Sequence, residues 1–262
     1  RNLFFYLMKF ASWNINSINL RKDAVLKWMS DENIDVLGLQ EIKCETEKFP
    51  QDIFKENDYY IEILGQKSFN GVAIISKYPI KLIRSKLPNL NEKVHQSRYL
   101  EVEINNYIFT SIYVPNGNPV DTEKYEYKRE WLSYLIEHSK VLLNIEKPVI
   151  LAGDFNVIPE KIDCWDEKVW ENDALATLSI RKQFRTIKNL GYFDAFRLLN
   201  PNKSEWSFWD YQQGSWNKDY GIRIDHFLIN SHASDKVKNC KIDKAPRGKE
   251  KPSDHTPIII EF

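Results

Sequence analysis

Short apolar segments of strand length, each followed by polar residues able to do chemistry, recur along the whole chain and restrict the folds open to it. Residues 9–14 alternate like a half-buried strand, and 35–40 form an apolar run that ends at Gln40-Glu41. Strand-like segments then crowd together at 59–64, 71–76, 80–87, 99–104 and 107–114, with Asn105-Asn106 reading as a tight hairpin turn between the last two. Residues 148–152 are short, continuously apolar and bounded by Pro148 and Gly153, the pattern of a strand buried on both faces. Further strands are expected near Ser207 and at 224–229, 237–242 and 257–262. Helical spacing runs over 20–30, about 122–144 and 179–190, with a less regular stretch at 158–175. No repeat, low-complexity run or long linker divides the chain. The expectation is one α/β (α+β) domain over 9–262, with mixed sheets covered by helices. Residues 1–8 read as an N-terminal extension whose apolar run is too short to span a membrane.

With 262 residues and 42% hydrophobic content the chain can bury a full core, and its interleaved charges exclude a disordered or collagen-like protein. The 37 basic residues balance 37 acidic ones. A protein that bound nucleic acid by bulk attraction alone would be basic, so neutrality argues for a divided surface, with an acidic site offset by local basic patches. Two such patches are Arg181, Lys182, Arg185 and Lys188 on the third helix, and Lys241, Lys244, Arg247, Lys249 and Lys251 near the C-terminus. The cysteines Cys44, Cys164 and Cys240 form no CxxC pair, which argues against zinc and for a reducing, cytoplasmic compartment.

The polar residues at strand ends are Asn14 and Asn16, Gln40-Glu41, Tyr113 and Asn116, Asp154 and Asn156, Asp225, and Asp254-His255. Taken singly, each has an ordinary explanation as a solvated carboxylate or a turn former. Asp225 is the odd one: it sits among alternating apolar residues and needs a partner such as His255 or Arg223.

Taken together, their order and spacing resemble the exonuclease/endonuclease/phosphatase superfamily over residues 8–262. The carrying segments are Trp13-Asn14-Ile15-Asn16, Leu39-Gln40-Glu41-Ile42-Lys43, Gly71-Val72-Ala73-Ile74, Tyr113-Val114-Pro115-Asn116, Gly153-Asp154-Phe155-Asn156, Arg223-Ile224-Asp225 and Ser253-Asp254-His255. The strand before the long helix ends in Tyr113, where DNase I-like nucleases, sphingomyelinases and inositol phosphatases carry a second catalytic histidine. Of the five histidines, His95, His138, His226 and His232 fit no catalytic motif; His138 reads as a surface helix position and His226 as alternating away from Asp225. A single catalytic histidine with Tyr-Val-Pro-Asn is similar to the exonuclease III and abasic-site (AP) endonuclease branch.

That resemblance implies a four-layer DNase I-like fold, two packed mixed β-sheets flanked by helices. It implies Mg²⁺, with Mn²⁺ able to substitute, held by Glu41 with Asn14 and Asp254 beside it, and with Asp154 and Asn156 as further candidates. Asn16 stands where some relatives carry Asp, which leaves a second metal position open. Asp225 would fix the tautomer of His255 and raise its pKa. Asp154 would activate water or protonate the leaving oxygen, oriented by Asn156, while Tyr113 and Asn116 would contact the scissile phosphate. Lys43 would pair with the metal-site carboxylates or point to solvent.

The aromatic stretch from Trp206 to Tyr220 suits a wedge or a pocket for an unstacked sugar, with about half of its rings expected in the core. The resemblance assigns Phe208, Ile222 and Ile224 to that pocket; Trp209, Asn16 and Arg98 are further substrate contacts. The implied function is DNA repair: Mg²⁺-dependent cleavage 5′ to abasic sites in duplex DNA, with 3′–5′ exonuclease and 3′-end-cleaning activity, by a monomer. The alternatives are a phosphodiesterase for another substrate, and a binding protein that has lost catalysis. The complete polar set argues against the second.

Overall fold

The computed structural model describes residues 7–262, so most of the expected N-terminal extension lies outside the described residues. One sheet holds β1 (Lys9–Asn14), β2 (Val36–Gln40), β3 (Tyr60–Leu64), β4 (Val72–Ser76), β11 (Asn239–Ile242) and β12 (Ile258–Glu261) in the order β11-β12-β1-β2-β4-β3. The other holds β5 (Lys81–Arg84), β6 (Tyr99–Ile104), β7 (Tyr107–Tyr113), β8 (Val149–Asp154), β9 (Phe193–Asp194) and β10 (Asp225–Ile229) in the order β5-β6-β7-β8-β10-β9. Each sheet is mixed: β1 pairs parallel to β2 and β7 parallel to β8, and the remaining pairs are antiparallel.

Both sheets are apolar on both faces, and that makes four layers. Phe10, Val36 and Ile74 of the first sheet interdigitate with Val102, Phe109, Ile150 and Phe227 of the second. The outer face of the first sheet packs against α1 (Ile18–Asp31) and α2 (Gln51–Lys55) through Val25, Met29 and Phe54. The outer face of the second packs against α3 (Glu123–Leu142) and α5 (Leu178–Gly191) through Trp131, Leu135, Ile180 and Phe184. The short α4 (Glu167–Trp170) comes before α5 in the chain. Asn105 and Asn106 both adopt positive φ, 48° and 69°, which is the two-residue turn expected between β6 and β7. No helix among the described residues is long and apolar enough to cross a membrane.

Among the expected strands, 237–242 shortens to Asn239–Ile242, and two others depart further. Residues 80–87 pair only over Lys81–Arg84, because β5 is an exposed edge whose register breaks between Leu82 and Arg84. Near Ser207 there is no strand, only single bridges from Phe208 to Ile222 and to His255. One expected strand lengthens: β8 continues past its last apolar residue through Gly153 to Asp154. Gly153 permits this because a Cβ there would run into the carbonyl of Ile112 on β7. His138 is also corrected. It lies on the inward face of α3, buried, with Nε2 2.6 Å from Glu101 Oε1.

Register delivers the polar residues to one edge. Asn14 sits opposite Gln40 across β1 and β2, so Glu41 emerges beside it. Tyr113, Asp154 and Asp225 form a row across β7, β8 and β10.

Candidate active site

Asn14 joins the two sheets at this edge. Its fully buried amide Nδ2 donates to Glu41 Oε2 at 2.6 Å and to Asp154 Oδ2 at 2.9 Å, while its Oδ1 accepts from the Asn16 amide at 3.1 Å. One carboxylate follows a strand of the first sheet and the other ends a strand of the second, so Asn14 holds together two groups of like charge. This differs from the expected role: the N–H₂ of Asn14, not its oxygen, faces the carboxylates. Glu41, Lys43, Asn16 and Asn156 all have φ between 45° and 55°. For Glu41 and Lys43 this left-handed backbone carries a cost that asparagine largely escapes, and such strain is concentrated at functional sites. Of the two readings of Lys43 the structure takes the paired one: it donates to Asn16 Oδ1 at 2.7 Å and lies 3.7 Å from Glu41.

A second chain of contacts runs through His255. Its Nδ1 lies 2.8 Å from Asp225 Oδ2 and its Nε2 lies 3.6 Å from Asp154 Oδ2, with all three residues buried. Of the two partners expected for Asp225, the structure selects His255; Arg223 turns instead to Asp163 and Asp194. Burial opposes charge on His255, but the flanking Asp225 and Asp154 carboxylates hold its pKa up to about 10. Burial, with Asp225 and Glu41 nearby, pushes Asp154 up to about 7 against the pull of His255 and the Asn14 hydrogen bond. Tyr113 stays a neutral phenol, held well above its ordinary value by burial and by Glu41 and Asp154. Asp225 Oδ1 is buried and has no hydrogen-bond partner among the described residues, a polar atom left over inside the site.

Ligand atoms of Glu41, Asp154 and His255 all lie within 4.8 Å of one another. The imidazole is held protonated, so it has no lone pair to offer a cation. The two carboxylates are the oxygen donors that suit a hard metal ion. Asp254 lines the same cleft, but its Oδ1 faces Asn16 Nδ2 at 3.4 Å and it stands outside that cluster. Asn156 orients Asp154 through its main-chain N–H, 3.0 Å from Oδ1, while its side-chain Nδ2 donates to the Val114 carbonyl.

The cleft over these groups has a volume of about 390 Å³. Asn116 lines it beside Tyr113, and Phe208 and Ile224 form an apolar wall on the other side. Two expected wall residues are corrected. Ile222 has no exposed surface and backs Phe208 through a pair of main-chain hydrogen bonds at 3.0 Å. Trp209 is 1% exposed and donates its indole N–H to Asp219, so it supports the wall from behind. Arg98 is corrected as well: it lies buried over the Tyr113 ring at 4.7 Å and donates to the Tyr113 carbonyl, bracing that residue. In the basic patches, Arg181 and Arg185 pair with Glu167 and Glu160, Lys244 pairs with Asp219, and Arg247 is buried. Lys241, Lys249 and Lys251 remain exposed.

Sequence reasoning passed over Asn118, Trp170, Asp173 and Leu175, which complete the cleft wall. They come from loops without a motif, and nothing in their spacing singles them out. It also passed over Lys128, whose signal was present: the residue falls on the apolar stripe of α3 with Tyr125, Trp131, Leu132 and Leu135.

The model of the Endonuclease/Exonuclease/phosphatase family matches residues 11–255. The exodeoxyribonuclease III of Haemophilus influenzae is 30% identical over 97% of this chain and 100% of its own. An AP endonuclease structure from Archaeoglobus fulgidus superposes with a TM-score of 0.93 at 32% identity, covering 97% of this chain and 99% of that one. A Neisseria 3′ phosphatase bound to a product DNA hairpin superposes with a TM-score of 0.94 at 30% identity, again covering 97% and 99%. The match over most of the chain and the close superposition together place the chain in the endonuclease/exonuclease/phosphatase family, in its exodeoxyribonuclease III and AP endonuclease branch.

Proposed function

We propose that the protein is a cytoplasmic, monomeric DNA repair nuclease. It would cleave the phosphodiester 5′ to abasic sites in duplex DNA and trim blocked 3′ ends, with Mg²⁺ as its metal. The observation that carries the reading is the pairing of the Asp154–His255–Asp225 chain with an apolar wall of Phe208 and Ile224 in one cleft. The polar side is built for a phosphodiester, and the apolar side suits a sugar without its base.

Glu41 and Asp154 would hold the cation, which supplies charge neutralisation at the phosphate and a site for water. Asn14 keeps the two carboxylates together in its absence. A pKa of about 7 suits Asp154 to exchange a proton with water or with the leaving oxygen near neutral pH. His255, charged and locked by Asp225, places a positive N–H beside a non-bridging oxygen, where negative charge grows as the bond breaks. The neutral Tyr113 phenol and the Asn116 amide line the same side and can donate to the phosphate. Phe208 and Ile224 give no hydrogen bond to any base, so damage would be read by shape.

The test is a duplex carrying one tetrahydrofuran site, incubated with Mg²⁺ or with EDTA. A nick with Mg²⁺ and none with EDTA is expected; no nick in either tube refutes the reading.

A further inference from the structure

Beneath the cleft lies a lysine that the chemistry above does not use. Lys128 projects from α3 and has no exposed surface. Its Nζ donates to three main-chain carbonyls, Asn156 at 2.6 Å and Asn116 and Ala174 at 3.0 Å each. No carboxylate lies in salt-bridge contact with it among the described residues. Those carbonyls belong to three separate loops, which follow β7, follow β8 and lie just after α4. Each loop carries side chains that line the cleft: Asn116 and Asn118, Asn156, and Asp173 and Leu175.

The surroundings confirm that the ammonium is built in. Burial pushes its pKa down and the charges of Asp173 and Asp154 oppose this, leaving it at about 7. Three carbonyls need three N–H donors, however, and a neutral amine has only two. Gly117 leaves the space for its stem, since a Cβ at that position would fall 2.5 Å from Lys128 Cδ. A second tie joins two of the same loops from outside: Asn118 donates to Asp173 Oδ1 at 3.0 Å and accepts from the Ala174 amide at 3.0 Å.

A buried charge whose direct hydrogen-bond partners are all carbonyl dipoles is costly, and an apolar side chain on this stripe of α3 would pack at less cost. We propose that Lys128 is a positioning residue, whose ammonium clamps the Asn116, Asn156 and Ala174 loops together and so sets the spacing between the part of the cleft lined by Asn116 and Asn156 and the part lined by Asp173 and Leu175. Its kinetic consequence rests on the phosphodiesterase reading; its structural consequence does not.

Two measurements on the full chain, wild type and Lys128→Met, test this. In amide hydrogen exchange, residues 114–118, 155–158 and 173–176 of the variant should exchange about tenfold faster or more, with the centres of β7 and β8 unchanged. An unchanged pattern, or a uniform rise through both sheets, overturns the clamp. In steady-state cleavage of the tetrahydrofuran duplex, kcat per folded molecule should fall about 30-fold or more while KM stays within about threefold, because misplaced loops affect the scissile phosphate more than the rest of the DNA footprint. Wild-type kcat per folded molecule overturns the positioning role. If Lys128→Met does not fold, Lys128→Arg replaces it: a planar guanidinium keeps the charge but cannot meet three converging carbonyls. It should show the same local pattern at smaller amplitude, and wild-type behaviour in both measurements overturns the clamp. Faster local exchange in the variant of a protein whose wild type cuts no DNA refutes the proposed function and leaves the clamp standing.

Discussion

Asp154 is held where a carboxylate is least comfortable: buried, 2.9 Å from an amide it shares with Glu41, and close to Asp225 through His255. Its raised pKa means that the charged form destabilises the metal-free protein, as burying a charge should. Asp154→Asn should therefore lower the cleavage rate by about 10²–10⁴-fold, yet leave the melting temperature in EDTA equal or higher. A melting temperature lower by more than about 5 °C would mean that the carboxylate is structural. Phe208 poses the complementary case, since it shapes the wall without touching the proton chain by hydrogen bond. Phe208→Ala should slow tetrahydrofuran cleavage more than 3′-end trimming, and equal losses would remove the sugar pocket from the account. At this scale much was legible in the chain itself. Glu41, Asp154 and His255 are ordinary taken singly and stand out only by their order among the other motifs, and the structure gathers their ligand atoms within 4.8 Å. Trp209 and Ile222 were misplaced because nothing local says which side of a loop faces the cleft. Pairing of Phe208 with Ile222 and His255 decides that, and it is long-range.

The elements explain why these groups meet. Strand β8 is apolar until Gly153, and the glycine lets it lie against β7 closely enough to put Asp154 level with Tyr113. Gly153→Ala should therefore cost several kcal/mol of stability, or prevent folding, where an ordinary strand Gly→Ala change is mild. A urea midpoint within about 0.3 M of wild type would contradict the close approach. Helix α3 was visible as an element but not as a device. Its periodicity predicts a helix over about 122–144, and Glu123–Leu142 is what forms. Lys128 and His138 both ride on its inward face; their place on the apolar stripe is the signal of burial, and their polar residue type points the other way because charge normally marks the solvent side. The edge strand β5 was overextended for a related reason: an apolar sequence does not reveal where a partner strand stops.

At the scale of the whole molecule, the two sheets come together at one edge, and the network behind the site holds that edge in place. Arg223 forms ion pairs with Asp163 and Asp194, all buried, and also donates from Nη1 to His226 Nδ1 at 3.1 Å. Nε2 of His226 donates to the Val157 carbonyl at 2.8 Å, so this imidazole is neutral. Burial and the Arg223 charge push its pKa from an ordinary 6.5 down to about 4. Between those values the unfolded chain binds a proton that the folded protein refuses. Stability from this site is full above 6.5 and falls, by at most about 1.4 kcal/mol per pH unit, as the pH drops toward 4. The stability advantage of wild type over His226→Gln should accordingly shrink from pH 7 to pH 4, and a constant difference in urea unfolding would contradict it. The mixed sheets and their helical cover could be anticipated from alternating segments, whereas strand order could not, because nonlocal pairing decides it. The central claim is that this edge cuts a phosphodiester on the 5′ side of a missing base. The direct measurement is to map the ends left in a 5′-labelled duplex with one tetrahydrofuran site. The expected product is a labelled fragment that stops just before the site and carries a 3′-hydroxyl that a polymerase can extend. A cut on the 3′ side of the site, or intact DNA in the presence of Mg²⁺, would contradict it.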